Sequence, residues 1–187
     1  MLTIHRVRGV RPAEEMPGAA YDAGHAVVVE GARLAAIGPY EELLARYGER
    51  ARVREWDGVL TPGRREPDAV ALLESAYWPD PREAEELGTD PLTGAALTAL
   101  GMTDTRWGAS ARRGVQRLLA TGTTLLTGPF THPQVRTAVA RSGLRVTAPG
   151  PAPRRLLPGA PADFAVLAGD GTCLATALDG RLVHRRR

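Results

Sequence analysis

The 187-residue chain contains no lysine: all 24 basic residues are arginine. With 21 glycines and 15 prolines, this is the composition expected of a high-GC bacterial genome. The pI of 9.6 therefore reflects codon usage before it reflects a nucleic-acid partner. Aromatics are only 5%, the arginines are scattered except for Arg185-Arg186-Arg187, and no RNA- or DNA-binding motif accompanies them, so nucleic acid is not the expected partner. A single cysteine, Cys173, excludes an internal disulfide and fits a reducing cytoplasm. Between Thr172 and Leu174-Ala175 it reads as a small buried strand residue. There is no N-terminal signal core and no apolar run of about 18 residues, so a soluble cytoplasmic protein without a membrane partner is expected. Histidines number only four: His5, His25, His132 and His184. Ser75, Ser110 and Ser142 lie in helix-like segments without a nearby histidine, and neither G-x-S-x-G nor a glycine-rich phosphate loop is present.

What is present is 43% hydrophobic residues, enough for one core or a core with a satellite. Leu2 to Val10 alternates apolar and polar and predicts an opening strand with His5 on its solvent face. His25 to Glu30 and Arg33 to Ile37 flank Gly31-Ala32 as a hairpin. His25 at the strand start reads as structural. Pro39 to Tyr47 predicts a short helix with Glu41-Glu42 in its first turn, and Ala51 to Leu60 returns to strand, with Trp56 packing on the β core.

The middle differs in character. Glu66 to Asp90 carries eight acidic residues. Asp68 suits the cap of a helix over 69–78, which Trp78-Pro79-Asp80-Pro81 breaks. Two further short helices follow, with Glu83, Glu85 and Glu86 expected on a solvated face. Thr105 to Ala120 has the clearest helical pattern, with Trp107, Val115, Leu118 and Leu119 against Arg112, Arg113, Gln116 and Arg117. Thr123 to Thr127 predicts a buried strand, His132-Pro133 opens a helix to Arg141, and Leu144 to Thr147 is another strand. This order predicts a parallel crossover. A Pro/Gly/Arg loop leads to Phe164 to Leu167, and Asp179-Gly180 suits a type I′ hairpin between 172–178 and 181–185.

Several of these stretches carry a resemblance. Gly24 to Pro39 resembles a "G-x-hhV-x-xG-x-Ih-xIG" hairpin, and Leu60-Thr61-Pro62-Gly63 resembles an "LTPG" turn. Leu118 to Thr124 resembles "LL-x-x-G-(V/T)TT", and Gly143 to Val146 resembles "G-hRV". Leu157 to Leu167 resembles "PGxxADhhhh", and Leu174 to His184 a closing "V-xxTh-xxGR-hV" hairpin. Together they resemble the amidohydrolase superfamily, in its imidazolonepropionase and aminodeoxyfutalosine deaminase branch. The resemblance covers about residues 1–63 and 113–187. It implies a mixed α and β fold: a β-sandwich-like composite domain formed by residues 1–63 and 156–187, and a helical and α/β insertion, 64–155, that is a remnant of a TIM-type barrel. A complete barrel takes about 250 residues, so it cannot fit here.

The resemblance also implies hydrolysis of carbon–nitrogen bonds other than peptide bonds. In that family a metal lowers the pKa of a water and polarises the substrate. The metal is held by an Asp-x-His-x-His strand just after the LTPG turn, by later histidines, and is assisted by an aspartate. Here the matching positions run from Arg64 to Val70, and Asp68 and Val70 stand where the two histidines belong. His184 belongs to a β-domain strand, and one histidine cannot hold a catalytic zinc. The expectation is a binding or accessory protein that has lost the metal site, with no catalytic residue, no metal ligand and no cofactor. Its partner would be a second copy or an intact amidohydrolase. The alternative is an enzyme with a rebuilt site, in which His132, Asp104 and Glu66 meet at the strand ends, zinc being admissible only there. A purely structural domain is the third reading, marked by an exposed apolar patch on the insertion.

Overall fold

The computed structural model describes residues 1–14, 20–150 and 154–186. In chain order it forms β1 (Leu2–Arg6), β2 (Gly9–Val10), β3 (Asp22–Ala23), β4 (His25–Glu30), β5 (Arg33–Pro39), α1 (Tyr40–Tyr47), β6 (Arg52–Glu55), β7 (Val59–Pro62) and β8 (Arg64–Glu66). Then follow α2 (Ala69–Glu74), a 3-10 turn (Pro81–Glu83), α3 (Ala84–Leu87), α4 (Gly94–Ala99), α5 (Asp104–Ala120), β9 (Thr123–Thr127), α6 (Pro133–Ser142) and β10 (Arg145–Thr147). The chain closes with β11 (Phe164–Leu167), β12 (Cys173–Leu178) and β13 (Arg181–Arg185). Three sheets result, of order β5-β4-β1-β6, β10-β9-β8 and β13-β12-β11-β7-β2-β3.

The chain divides into two compact units. One comprises residues 1–64, 120–124 and 151–187; the other comprises 65–119 and 125–150.

The first unit holds the four-stranded and six-stranded sheets. Two strands expected to be single are each split between these sheets. Leu2–Arg6 enters one sheet and Gly9–Val10 the other; Arg52–Glu55 enters one and Val59–Pro62 the other. The bends at Val7-Arg8 and at Trp56-Asp57-Gly58 are what let one stretch of chain serve two sheets. Alternation along a strand cannot show such a transfer, because both halves keep the same period. Ile4, Ala26, Val28 and Leu43 pack as one cluster on the α1 side. Val10, Val27, Val29, Leu34, Leu60, Phe164, Val166, Ala175 and Ala177 form a second cluster.

β1 is thus covered on both faces, and His5, expected to face solvent, is 2% exposed. Its ring meets Phe164 edge-on at 4.9 Å and its Nδ1 accepts the Trp56 indole N–H at 3.2 Å. The closing hairpin is as its turn residues predict: Asp179 (φ 47°) and Gly180 (φ 73°) both take positive φ, the type I′ requirement. Cys173 is buried on β12, near Ala175 O and Thr176 Oγ1, and burial pushes its thiol pKa up, as expected of an inert core residue.

In the second unit, the buried residues include Leu73, Ala76, Tyr77, Ala111, Val115, Leu118, Leu119, Val135 and Val139. β9 and β10 pair in parallel, Leu125 opposite Arg145 and Thr127 opposite Thr147, with α6 as the crossover. The acidic segment is more ordered than a solvated face. Asp80 caps the 3-10 turn through Arg82 N, while Glu83 returns a bond to Asp80 N at 2.9 Å and accepts the Tyr77 hydroxyl at 2.6 Å. Only Glu85 and Glu86 are exposed as expected. The Tyr77 hydrogen bond, aided by the Asp80 N–H, lowers the Glu83 pKa.

Candidate functional site

The strand that follows the Thr61-Pro62-Gly63 turn ends early. β8 runs only from Arg64 to Glu66, and the chain turns at once into α2. Asp68 is exposed at the helix N-cap, and Val70 lies within the helix. The two positions that would carry an adjacent histidine pair on a strand therefore lie at and inside a helix. The Asp68 carboxylate makes no cap bond; instead the Asp68 N–H donates to Glu66 Oε1 at 3.0 Å. Glu66 is half-buried and holds this turn.

His132 sits where a strand-end site would be built, in the loop after β9. It is the N-cap of α6, with Nδ1 accepting Gln134 N–H at 3.3 Å. Its ring lies against Trp107 at 4.9 Å. Its own N–H donates to Glu74 Oε1 at 2.7 Å, beside the Thr131 N–H at 2.6 Å and the Thr131 hydroxyl on Oε2 at 2.9 Å. The Glu74 carboxylate is thus taken up by three loop donors and is not aimed at the imidazole. No local pattern marks Glu74 in the sequence, because its partners lie about sixty residues on. Asp104 is exposed at the first turn of α5, where a carboxylate complements the helix dipole.

Among the described residues, no three His, Cys, Asp or Glu side chains are grouped to hold a metal ion. Glu66, Asp104 and His132 are therefore not brought together as a ligand set. A hydrolytic zinc needs three protein ligands and an open position, so the residues here do not fit one.

The second unit also carries a groove of about 470 Å³ between the Trp78–Pro81 turn and α5. Trp78, Pro79 and Pro81 form one wall; Arg112, Gln116 and Arg117 line the other. The turn is fixed by Arg113, whose Nε donates to Trp78 O at 2.7 Å and whose Nη1 lies 3.3 Å from Asp80 Oδ2. Ser110 Oγ accepts Trp78 N–H at 2.9 Å. The groove thus sets apolar Trp78, Pro79 and Pro81 against the exposed guanidiniums of Arg112 and Arg117.

Residues 26–49 match the family model of the bacterial imidazolonepropionase-like composite domain. This is the β4–β5 hairpin with α1. The fold as a whole is similar to solved amidohydrolases. The chain aligns with a zinc-bound adenosine deaminase from Xanthomonas campestris at TM-score 0.53 and 17% identity, covering 77% of this chain and 32% of that one. With Aspergillus niger ochratoxinase the TM-score is 0.52 at 15% identity, covering 79% and 30%. With E. coli guanine deaminase it is 0.51 at 14% identity, covering 79% and 39%. Over the aligned part, the chain shares the fold of these deaminases and hydrolases. It spans about a third of the length of these proteins. No curated protein matches it. Among the described residues, no helix is long and apolar enough to cross a membrane.

Proposed function

We propose that this amidohydrolase-like chain is a binding or accessory protein that has lost the family's metal site and does not itself perform metal-assisted hydrolysis. The carrying observation is the fate of the two motif positions: Asp68 at a helix N-cap and Val70 inside α2. Chemistry that needs two imidazoles side by side on one strand has no backbone to support it there. The one histidine near the strand ends, His132, is already spent on the α6 cap. The groove beside α5 supports a retained binding role, and its exposed arginines favour an anionic ligand. An expected partner is a second copy or an intact amidohydrolase. Support for one comes from the edge strand β10, where Val146 is 49% exposed.

The test is the metal content of the native purified protein by elemental analysis. The expected result is well under one zinc, iron or manganese per chain. One equivalent that survives dialysis would overturn the reading, and substitution of His132 would then test for a rebuilt site at the strand ends.

A further inference from the structure

β6 and β13 are the outer strands of the two sheets of the first unit. Around a cavity of about 210 Å³ they bring Arg52, Arg54 and Arg185 together beside Trp56. Arg52 and Arg54 are alternate residues of β6, in register with Thr3 and His5 of β1, so they share a face. The Arg185 guanidinium lies over the Trp56 ring at 5.5 Å. The Trp56 indole is fixed from behind by its bond to His5 Nδ1. Glu55 borders the same cavity, but it is committed to Arg6 at 2.9 Å.

Arg54 is left short of partners. Its Nε is buried with no hydrogen-bond acceptor. Burial, then the neighbouring charges of Arg52 and Arg185, lower its pKa from the ordinary arginine value. Like charges clustered at a partly desolvated position oppose folding unless something negative joins them. The missing component is an anion.

We propose that the cavity between β6 and β13 binds a phosphate-type dianion, with Arg52, Arg54 and Arg185 as its donors and Trp56 as its wall. Two arginines from one face of β6 and a third from β13 line the same cavity, and a tetrahedral oxyanion can accept from several such donors at once. A planar carboxylate is satisfied by one bidentate arginine. The ligand class is free phosphate or a small phosphomonoester.

The experiment is calorimetric titration of the full chain with inorganic phosphate at constant ionic strength, together with thermal melts of wild type, Arg54→Gln and Arg185→Gln. Saturable binding to one site is expected, at least tenfold weaker in each variant. Phosphate should raise the wild-type Tm and leave that of Arg54→Gln unchanged. Without phosphate, Arg54→Gln should be at least as stable as wild type, because repulsion is relieved; a merely structural arginine would lose stability. Equal Tm rises in wild type and variant, or the same rise from chloride at matched ionic strength, would overturn the proposal in favour of diffuse screening. A single-stranded oligonucleotide that binds where inorganic phosphate does not would overturn it in favour of a nucleic-acid surface. If a variant does not fold, NMR of wild-type His5 decides. Neutralising Arg54 with bound phosphate should raise the His5 pKa, and an unmoved His5 at saturating phosphate sinks the idea.

Discussion

Burial decides what His5 can do. Its sequence neighbours, Thr3 and Arg6, suggest a solvated strand face, yet Thr3 and His5 are both buried. The reason is tertiary: β1 lies between β4 and β6 with clusters on both faces, and a one-dimensional pattern reports only one of them. Desolvation, reinforced by the Arg54 charge, lowers the His5 pKa from 6.5 to about 4. The unfolded chain therefore takes up a proton below pH 6.5 that the folded chain refuses until about pH 4. This contribution to stability is complete above pH 6.5 and is lost as pH falls towards 4. Between pH 7 and 4.5 it amounts to about 2 kcal/mol. Urea unfolding at the two pH values should show wild type losing about 2 kcal/mol more than His5→Gln. Equal losses in the two proteins would mean that His5 is solvated and titrates normally.

At the scale of elements, what was legible is what is locally encoded. β9 occupies Thr123–Thr127, α5 runs to Ala120, and α6 opens at Pro133 behind His132, all within a residue of the pattern-based expectation. Each carries its own start or stop: Gly122 and Gly143 with positive φ, and Pro133 at a first helical turn. What was not legible depends on partners far along the chain: the transfer of β6 and β7 to different sheets, and the hold of Glu74 on the loop at 131–132. The candidate site shares this division. The absence of the histidine pair can be read from Asp68 and Val70, whereas the convergence of Arg54 with Arg185 requires the fold.

Gly114 shows tertiary packing overriding local preference. It sits inside α5, where replacing glycine by alanine normally stabilises by about 1 kcal/mol. A Cβ there would lie 2.6 Å from Leu73 Cδ2 and 2.7 Å from Trp78 Nε1. Trp78 cannot simply move aside, because its Nε1 donates to Leu72 O at 2.9 Å and its backbone is held by Ser110 and Arg113. Overpacking costs about 1–3 kcal/mol, so Gly114→Ala should destabilise on balance and perturb Trp78 fluorescence. A variant more stable than wild type would show that α5 packs less closely on α2 than described.

For the whole molecule, the question is whether a chain that shares part of the fold of a zinc-bound deaminase still gains from a metal. A ligand that binds the folded state alone stabilises it by mass action, about 2.7 kcal/mol at a hundredfold excess over its Kd. A three-ligand site binds zinc tightly enough to reach that regime at micromolar metal, and its loss on chelation should be as large. The described residues hold no such group, and His132 presents at most one imidazole, already used as a helix cap. Micromolar zinc should therefore leave the Tm of the full chain within a degree or so of the chelated protein, where a three-ligand site would raise it by several degrees. His132→Ala should lower stability by about 1 kcal/mol through the lost cap, equally with and without zinc. A zinc-dependent rise in Tm that disappears in His132→Ala would instead identify a rebuilt metal site at the end of β9, and the chain would then be a candidate hydrolase in its own right.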